Sequence, residues 1–504
     1  MAEKSQASTT VKTDLGTVQG IAGAVRTFRG IPYGAPATGN LRWAPPQPAK
    51  PWTGVLDATQ WGADTFQPPP GPAGATRASH MSEDCLNLNI WTPAASADEK
   101  LPVLFWIPGG GFLTCYSSNP MQDGERLASK GAVVVSLNAR TNVFGWLGHP
   151  QLSAESPHKV SGNYGLLDIM EALRWVKRNI GAFGGDPNRV TIFGVSSGGA
   201  SAALLMVSPP AQGLFEQAIL ESPGAFRPLA TLKDAEQAAV TNLGPDLAAL
   251  RAIPAEEIVK KISLFVPKMR GLTTPRVLRP INDGSYVLPD DERELFYAGK
   301  YRAIPIIVGG VTDEGSSFIG GWPIKSVADF RGTIEQNFPE VLEQALKLYP
   351  TNSDSEVPAQ MAHVFGDCQF HYGAWGIAKA NAARQPATYR FMLTRHRGGG
   401  AKAPAHGGEV SYVFGTLPLA DDQRGAHDQA DVKISEAMME YWVRFAATGN
   451  PNGGNLPHWP TYNPSSEEYL DFGDAGIATQ RRFRTEHMEF LDKLYSERVK
   501  ARAR

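Results

Sequence analysis

Val190–Val207 reads V-T-I-F-G-V-S-S-G-G-A-S-A-A-L-L-M-V, and the fold turns on how this stretch is read. Val190-Thr191-Ile192-Phe193 is a short β-branched and aromatic run, the pattern of a buried strand. From Ser197 to Val207, small residues give way to apolar ones, the composition of a helix packed closely on its neighbours. Between them lies a G-x-S-x-G pattern, Gly194-Val195-Ser196-Ser197-Gly198. Strand, sharp turn and helix together are the context of a nucleophile elbow, which presents a serine hydroxyl on a strained backbone. In a chain with 52 glycines, the same letters also fit a glycine-rich turn ahead of a packed helix. The two readings part on whether the rest of the chain supplies a base, an acid and an oxyanion site.

The composition bounds the answer. With 504 residues, 42% of them hydrophobic, the chain can bury a large core, and α/β enzymes of this length often form one unit. Residues 1–504 are read as a single domain. A net charge of −2 gives no global pull toward nucleic acid or acidic membranes. No apolar run approaches the ~18 residues of a membrane span. The opening Met-Ala-Glu-Lys-Ser-Gln-Ala-Ser-Thr-Thr has no apolar core of a secretory signal, so the chain as given is expected to be cytoplasmic; a secretory signal already removed would leave the same start. Three cysteines, Cys85, Cys115 and Cys368, are too few and too irregular for a disulfide framework and fit a reducing compartment. They have no metal-ligand spacing, and neither metal nor cofactor is expected.

Around the opening stretch, short apolar runs alternate with helical ones. Residues 9–34 alternate as strands do, with Asp14-Leu15-Gly16-Thr17 as a hairpin turn. Residues 66–80 form a Pro/Gly-rich loop. Strands are predicted at Leu86–Trp91, Pro102–Ile107, Ala132–Leu137, Val190–Phe193, Ala218–Leu220, Ile304–Val308 and Thr388–Leu393. Helices are predicted at Asp168–Ile180, Ser197–Val207, Ala328–Leu348 and Val432–Thr448, the last stopped by Gly449. Continuous rather than alternating apolar strands imply burial on both faces, hence a large, mostly parallel sheet covered by helices, an α/β fold. Residues 227–300 interrupt the rhythm and read as a helical, irregular insertion over the mouth of a site. The basic end, Arg-Val-Lys-Ala-Arg-Ala-Arg, reads as a solvated helix terminus.

Three further segments bear on the serine. Trp106-Ile107-Pro108-Gly109-Gly110-Gly111-Phe112 follows a strand directly. Consecutive glycines there let backbone N–H groups face a ligand, and with the residue after the serine they nominate the N–H groups of Gly110, Gly111 and Ser197 as an oxyanion hole. Taken alone, a triple glycine is more often a flexible loop. Gly309-Gly310-Val311-Thr312-Asp313-Glu314-Gly315 follows another strand and can bring a carboxylate to the same sheet edge, or can simply start a helix with an acid pair. His396 and His406 both follow the Thr388–Leu393 strand; His406 sits in a glycine-shaped loop, Ala405-His406-Gly407-Gly408-Glu409, ahead of Val410-Ser411-Tyr412-Val413-Phe414-Gly415.

With these pieces in order, the chain resembles the type-B carboxylesterase/cholinesterase family of α/β-hydrolases over roughly residues 10–470. The resemblance rests on Gly30-Ile31-Pro32-Tyr33, Ser82-Glu83-Asp84-Cys85-Leu86-Asn87-Leu88-Asn89, Gly109-Gly110-Gly111-Phe112, Gly162-Asn163-Tyr164-Gly165-Leu166-Leu167-Asp168, Phe183-Gly184-Gly185-Asp186-Pro187, Asp313-Glu314-Gly315 and His406-Gly407. Pro451-Asn452 ahead of Trp459-Pro460 closes the series. It implies an α/β-hydrolase fold and a serine esterase with Ser196 as nucleophile, His406 as general base and acid, and Glu314 orienting His406. It also implies ion pairs of Arg42 with Glu83 and Arg140 with Asp168. The chain departs from the family's usual G-E-S-A-G: Ser197 keeps the backbone N–H, but Val195 removes a buried carboxylate. The family's partner cysteine for Cys85 is missing from Asp64-Thr65-Phe66, so Cys85 is expected to be a free thiol. The tryptophan that binds choline in cholinesterases is absent from the following loop.

The implied substrate is a small-molecule ester. Lys268, Arg270, Arg276 and Arg279 fall close together without an intervening acid, and Arg227 follows Glu221-Ser222-Pro223-Gly224-Ala225-Phe226, where this family builds its acyl pocket. Such charges read either as surface solvation or as a pocket for a polyanionic ester. Phe112, Phe226, Arg227, Arg276 and Arg279 are the candidate substrate-binding residues. A narrower resemblance, carried by Ser222-Pro223-Gly224, Arg227–Leu232, Pro350–Asp354 and Phe365-Gly366-Asp367-Cys368-Gln369-Phe370, is to bacterial carboxylesterases that remove tricarballylate side chains from fumonisin mycotoxins. A general aryl or alkyl esterase, an amidase or carbamate hydrolase with the same triad, and a non-catalytic binding module remain alternatives. Oligomeric state is not legible.

Overall fold

In the computed structural model, residues 8–68, 78–267, 269, 271–421 and 425–502 are described. The Pro/Gly-rich residues 69–77, Lys268, Arg270 and the last two residues of the basic end lie outside them. The strands are β1 (Ser8–Lys12), β2 (Thr17–Ile21), β3 (Arg26–Pro32), β4 (Val55–Asp57), β5 (Asp64–Thr65), β6 (Met81–Ser82), β7 (Asn87–Thr92) and β8 (Leu101–Ile107). They continue as β9 (Val133–Leu137), β10 (Gly185–Val195), β11 (Gln217–Glu221), β12 (Ile306–Val311), β13 (Thr388–Leu393), β14 (Glu468–Gly473) and β15 (Gly476–Arg481). One sheet runs β1-β2-β3-β7-β9-β8-β10-β11-β12-β13-β14-β15, with β4 beside β2; β5 and β6 pair separately. From β9 through β14 every pairing is parallel, and antiparallel strands close both edges. The fold is an α/β-hydrolase sheet, mostly parallel at its centre.

Alternate residues of the central strands feed two separate cores. Val103, Phe105, Ile192, Leu220 and Val308 join the helices Tyr164–Asn179, Ser197–Val207 and Tyr372–Ala382 on one face. Leu104, Trp106, Phe193, Ile219 and Ile307 join Gln429–Thr448 on the other. Both faces are covered, which is why these strands read as nearly continuous apolar runs. Gly449 ends the long helix in the left-handed region at φ 76°, the conformation glycine adopts without penalty.

Several predicted boundaries move. The strand expected at Ile304–Val308 runs Ile306–Val311, because Pro305 has no N–H to give the ladder and the pairing continues through Gly309 and Gly310. A Cβ on Gly309 would lie 2.1 Å from Phe391 O, so only glycine lets β12 approach β13 there. The helix expected over Ala328–Leu348 breaks into Val327–Asn337 and Leu342–Leu348, with a 3-10 turn Pro339–Val341 between them; Pro339 cannot continue an α-helix. The helix expected from Asp168 begins at Tyr164. The β14–β15 hairpin and the terminal helix Thr485–Arg502 carry no predicted counterpart beyond the basic end.

Residues 227–300 connect β11 to β12 through the short helices Leu232–Leu243, Leu247–Ala252, Ala255–Lys260 and Glu292–Tyr297. They are tied to the body of the chain. Arg42 Nη1 donates to Ile253 O (2.6 Å), and Asn163 Nδ2 to Ile281 O (2.9 Å). Both ion pairs implied by the family resemblance form. Arg42 Nε donates to Glu83 Oε1 (2.7 Å), and buried Arg140 holds Asp168 through its Nε (2.8 Å), Nη2 (2.7 Å) and backbone N–H (3.0 Å). Cys85, Cys115 and Cys368 are all buried free thiols. Among the described residues no helix is long and apolar enough to cross a membrane.

Candidate active site

The elbow forms as its letters suggest. Ser196 lies between the end of β10 and the helix Ser197–Val207, whose N-cap it forms at φ 59°, ψ −119°, a strained position for a residue with a Cβ. Three backbone bonds hold it there: Ser196 N–H donates to Glu221 O (2.9 Å), and Gly224 N–H (3.3 Å) and Ala200 N–H (2.9 Å) donate to Ser196 O. The close approach needs glycine just past the end of the neighbouring strand β8 too, since a Cβ on Gly109 would meet Val195 O at 2.9 Å and Ser196 Cβ at 3.4 Å.

After β8 the chain turns through Gly110 (φ 137°), Gly111 (φ 64°) and Phe112 (φ 65°). Gly110 O accepts from Leu113 N (3.0 Å), and Phe112 O accepts from Trp146 Nε1 (2.8 Å) and Asn142 N (2.8 Å), so the turn is fixed from outside. Among the described residues the N–H groups of Gly110, Gly111 and Ser197 donate to no protein acceptor. Undonated N–H groups on a fixed turn and at a helix start are suited to an anion.

Glu314 and His406 meet although 92 residues separate them. The loops that carry them are zipped together: Asp313 N–H donates to Pro404 O (3.0 Å), and His406 N–H to Asp313 O (3.1 Å). His406 Nδ1 lies 2.5 Å from Glu314 Oε2, and Val311 N–H donates to Glu314 Oε1 (3.0 Å). Burial pushes the Glu314 carboxyl up, but the charge and hydrogen bond of His406 outweigh it and hold Glu314 below the usual carboxylate range. His406 Nε2 is buried and has no partner. With Nδ1 engaged by a carboxylate, this nitrogen is the one left to exchange a proton with a hydroxyl. It is not hydrogen-bonded to Ser196 Oγ here; such bonds are often long until substrate arrives. Gly224 links the two sides, since a Cβ on it would lie 3.7 Å from the Phe370 ring, whose centroid is 4.1 Å from that of His406. His396 is elsewhere, paired with Asp474 (2.7 Å).

Behind the elbow, Val195 packs in the apolar core beside Gly109, and two buried carboxylates remain. Glu409 Oε1 accepts from Ser222 Oγ (2.7 Å), and Glu221 Oε1 accepts from Trp442 Nε1 (2.8 Å); the other oxygen of each is unpartnered. Burial first, then the charge of Glu314, pushes the Glu409 carboxyl up to about 7. Burial and then Glu409 raise Glu221 well above its ordinary value.

A cavity opens beside the helix that follows Ser196, lined among others by Phe112, Arg227, Arg276, Arg279 and Glu292. A second, sharing Arg276 and Arg279, reaches Gly111 and is otherwise largely apolar. Arg227 and Arg276 both donate to Gln369 Oε1, Arg276 at 2.6 Å, and the Arg279 guanidinium lies 4.9 Å from the centroid of the Phe112 ring. The structure differs from expectation at Phe226. That ring is fully buried against Phe296, Tyr297 and Tyr372, outside the cavity lining, because φ 58° turns it inward. Gln369 and Phe370 were not legible as site residues. They reach the site through a π-helical turn, Asp367–His371, an irregularity common at functional sites and invisible to helical periodicity.

Fold and site together define a serine hydrolase of α/β-hydrolase type. The chain belongs to the carboxylesterase family, whose description matches residues 7–491, and it is a carboxylic-ester hydrolase. It is 42% identical over 466 residues to the fumonisin B1 esterase of Sphingopyxis macrogoltabida, covering 92% of this chain and 86% of that one. It is 34% identical to the para-nitrobenzyl esterase of Bacillus subtilis over 476 residues, 91% and 94% of the two chains. It is 33% identical to the acetylcholinesterase of Bungarus fasciatus over 529 residues, 95% and 85%.

Proposed function

We propose that Ser196 attacks the ester carbonyl, that His406 Nε2 takes the serine proton and returns it to the leaving alcohol, and that Glu314 fixes the imidazole tautomer and stabilises its charged form. The N–H groups of Gly110, Gly111 and Ser197 hold the oxyanion of the tetrahedral intermediate. Water then attacks the acyl-enzyme by the same route and a carboxylic acid leaves. The observation that carries this reading is the Glu314–His406 pair, with Nε2 buried and unpartnered. Residues 227–300 form the wall of the site mouth within one domain.

For substrate, we propose an ester whose acyl part carries additional carboxylates, as in the tricarballylate esters of fumonisin-type toxins. Three guanidinium groups, Arg227, Arg276 and Arg279, line a cavity beside the elbow helix, and guanidinium forks suit carboxylates. The similarity to a fumonisin B1 esterase supports the same reading. Hydrolysis of fumonisin B1 measured beside that of neutral p-nitrophenyl esters tests it. A higher kcat/KM for fumonisin B1 is expected, and no activity on it would sink the proposal.

A further inference from the structure

One side chain in this cavity does not belong with its arginines. Glu292 lines the cavity with Arg227, Arg276 and Arg279 and is only 2% exposed. Its Oε1 accepts from the backbone N–H of Phe226 (2.5 Å), the bond made possible by the left-handed Phe226. Its Oε2 is buried with no partner at all. An ionised carboxylate there would leave a buried charge with an oxygen no donor reaches, whereas the neutral acid leaves only an O–H awaiting an acceptor, which costs far less.

From this geometry we infer that Glu292 is a specificity-determining residue, whose neutral carboxyl lets the cavity accept a carboxylate of the acyl group by offering its Oε2–H to it, and whose ionised form repels that carboxylate. The inference rests on the polyanionic-acyl reading above. The charged and titratable groups facing Glu292 are few. Asp291, next to it, caps the helix Glu292–Tyr297, its Oδ2 accepting from Leu229 N (2.9 Å) and its Oδ1 from Arg293 N (3.2 Å). Arg227 and Arg279 reach it across the cavity, from the segment after β11 and from the stretch ahead of the helix. The helix Ser197–Val207, packed against it, carries no titratable group; Tyr372, on the helix Tyr372–Ala382, bonds instead to Arg293 (2.6 Å). Burial first and Asp291 second push the Glu292 carboxyl up to about 8, against the arginines. Substrate carboxylates are ionised and arginines charged throughout the neighbouring range, so Glu292 is the cavity group that changes charge there.

The test uses tricarballylate as a competitive inhibitor of p-nitrophenyl acetate hydrolysis. Because Ki is read within each protein, a partial loss of activity in a variant does not disturb it. In the unaltered enzyme Ki is expected to weaken about tenfold between about pH 7 and about pH 9.5, as one negative charge appears within the cavity. In Glu292→Gln, which keeps a donor and cannot ionise, Ki should stay flat. Inhibition in the unaltered enzyme that does not vary with pH overturns the inference, whether or not the variant folds. A variant whose Ki weakens as steeply as the parent's also overturns it. Absence of inhibition at every pH would bring down the polyanionic-acyl reading itself, and this inference with it.

Discussion

The two sides of the site are built in different ways. The reacting side is made of backbone: Ser196 at φ 59°, the Gly110–Gly111 turn, and two loops zipped by main-chain bonds that bring His406 to Glu314. The cavity side is made of side chains drawn from separate segments, with Arg227, Arg276 and Gln369 converging over sequence separations of 142 and 93 residues. Backbone turns with special φ values admit few residue types, so the reacting side is tightly constrained. A cluster of long side chains tolerates exchange, so substrate preference can change without disturbing the chemistry. A fumonisin esterase and an acetylcholinesterase among the relatives of one chain are consistent with that division.

The sharpest break should come on the backbone side. Ser196→Ala is expected to lower kcat for p-nitrophenyl acetate by about 10⁶-fold, the scale set by loss of a triad nucleophile. It should also abolish labelling by an organophosphate probe; persistent labelling would move the nucleophile elsewhere. Glu314→Gln should cost about 10⁴-fold by leaving the imidazole in the wrong tautomer, read as kcat with KM little changed. Gly110→Ala puts a Cβ 2.2 Å from Thr114 O and should cost about 10²–10³-fold by turning an oxyanion donor away.

On the cavity side the effects should be smaller and selective. Arg276→Glu is expected to lower the ratio of kcat/KM for fumonisin B1 to that for p-nitrophenyl acetate by about 10–100-fold, the scale of a lost charged hydrogen bond. An unchanged ratio would place Arg276 outside substrate recognition. The smallest effect concerns stability. The Glu409 carboxyl titrates near 7 when folded, above its ordinary 4.5, so the folded state holds the extra proton between these values and loses stability as pH rises through that window. Glu409→Gln should therefore gain on the parent by about 1–3 kcal/mol between about pH 5 and about pH 8. Urea unfolding at the two pH values measures the gain, and a constant difference would refute the titration.

How much was legible follows the same line. The elbow, the glycine turn, the acid and the histidine are each announced within a few residues, because the constraint on each is local: a sharp turn needs glycine, and a strand buried on both faces needs continuous apolar residues. The order of the segments along the chain then separated a serine hydrolase from a glycine-rich turn. Pro339 stands inside the helix expected over Ala328–Leu348 and breaks it in two, because apolar periodicity carries on across a residue that the backbone cannot accommodate. The β14–β15 hairpin was missed because β15 lies at a sheet edge with most of its side chains exposed, which erases the apolar signal of a strand.

By itself, then, the sequence determined the sheet, the elbow and the identity of the three residues that carry the proposed chemistry. The tertiary structure alone decided that Phe226 turns inward, that a π-helical turn delivers Gln369 and Phe370, that Glu409 is held by Ser222 across 187 residues, and that Glu292 is buried beside three arginines. Local pattern reports what the backbone requires of each residue. Which distant side chains share a cavity depends on long-range packing, and no short stretch of sequence contains it.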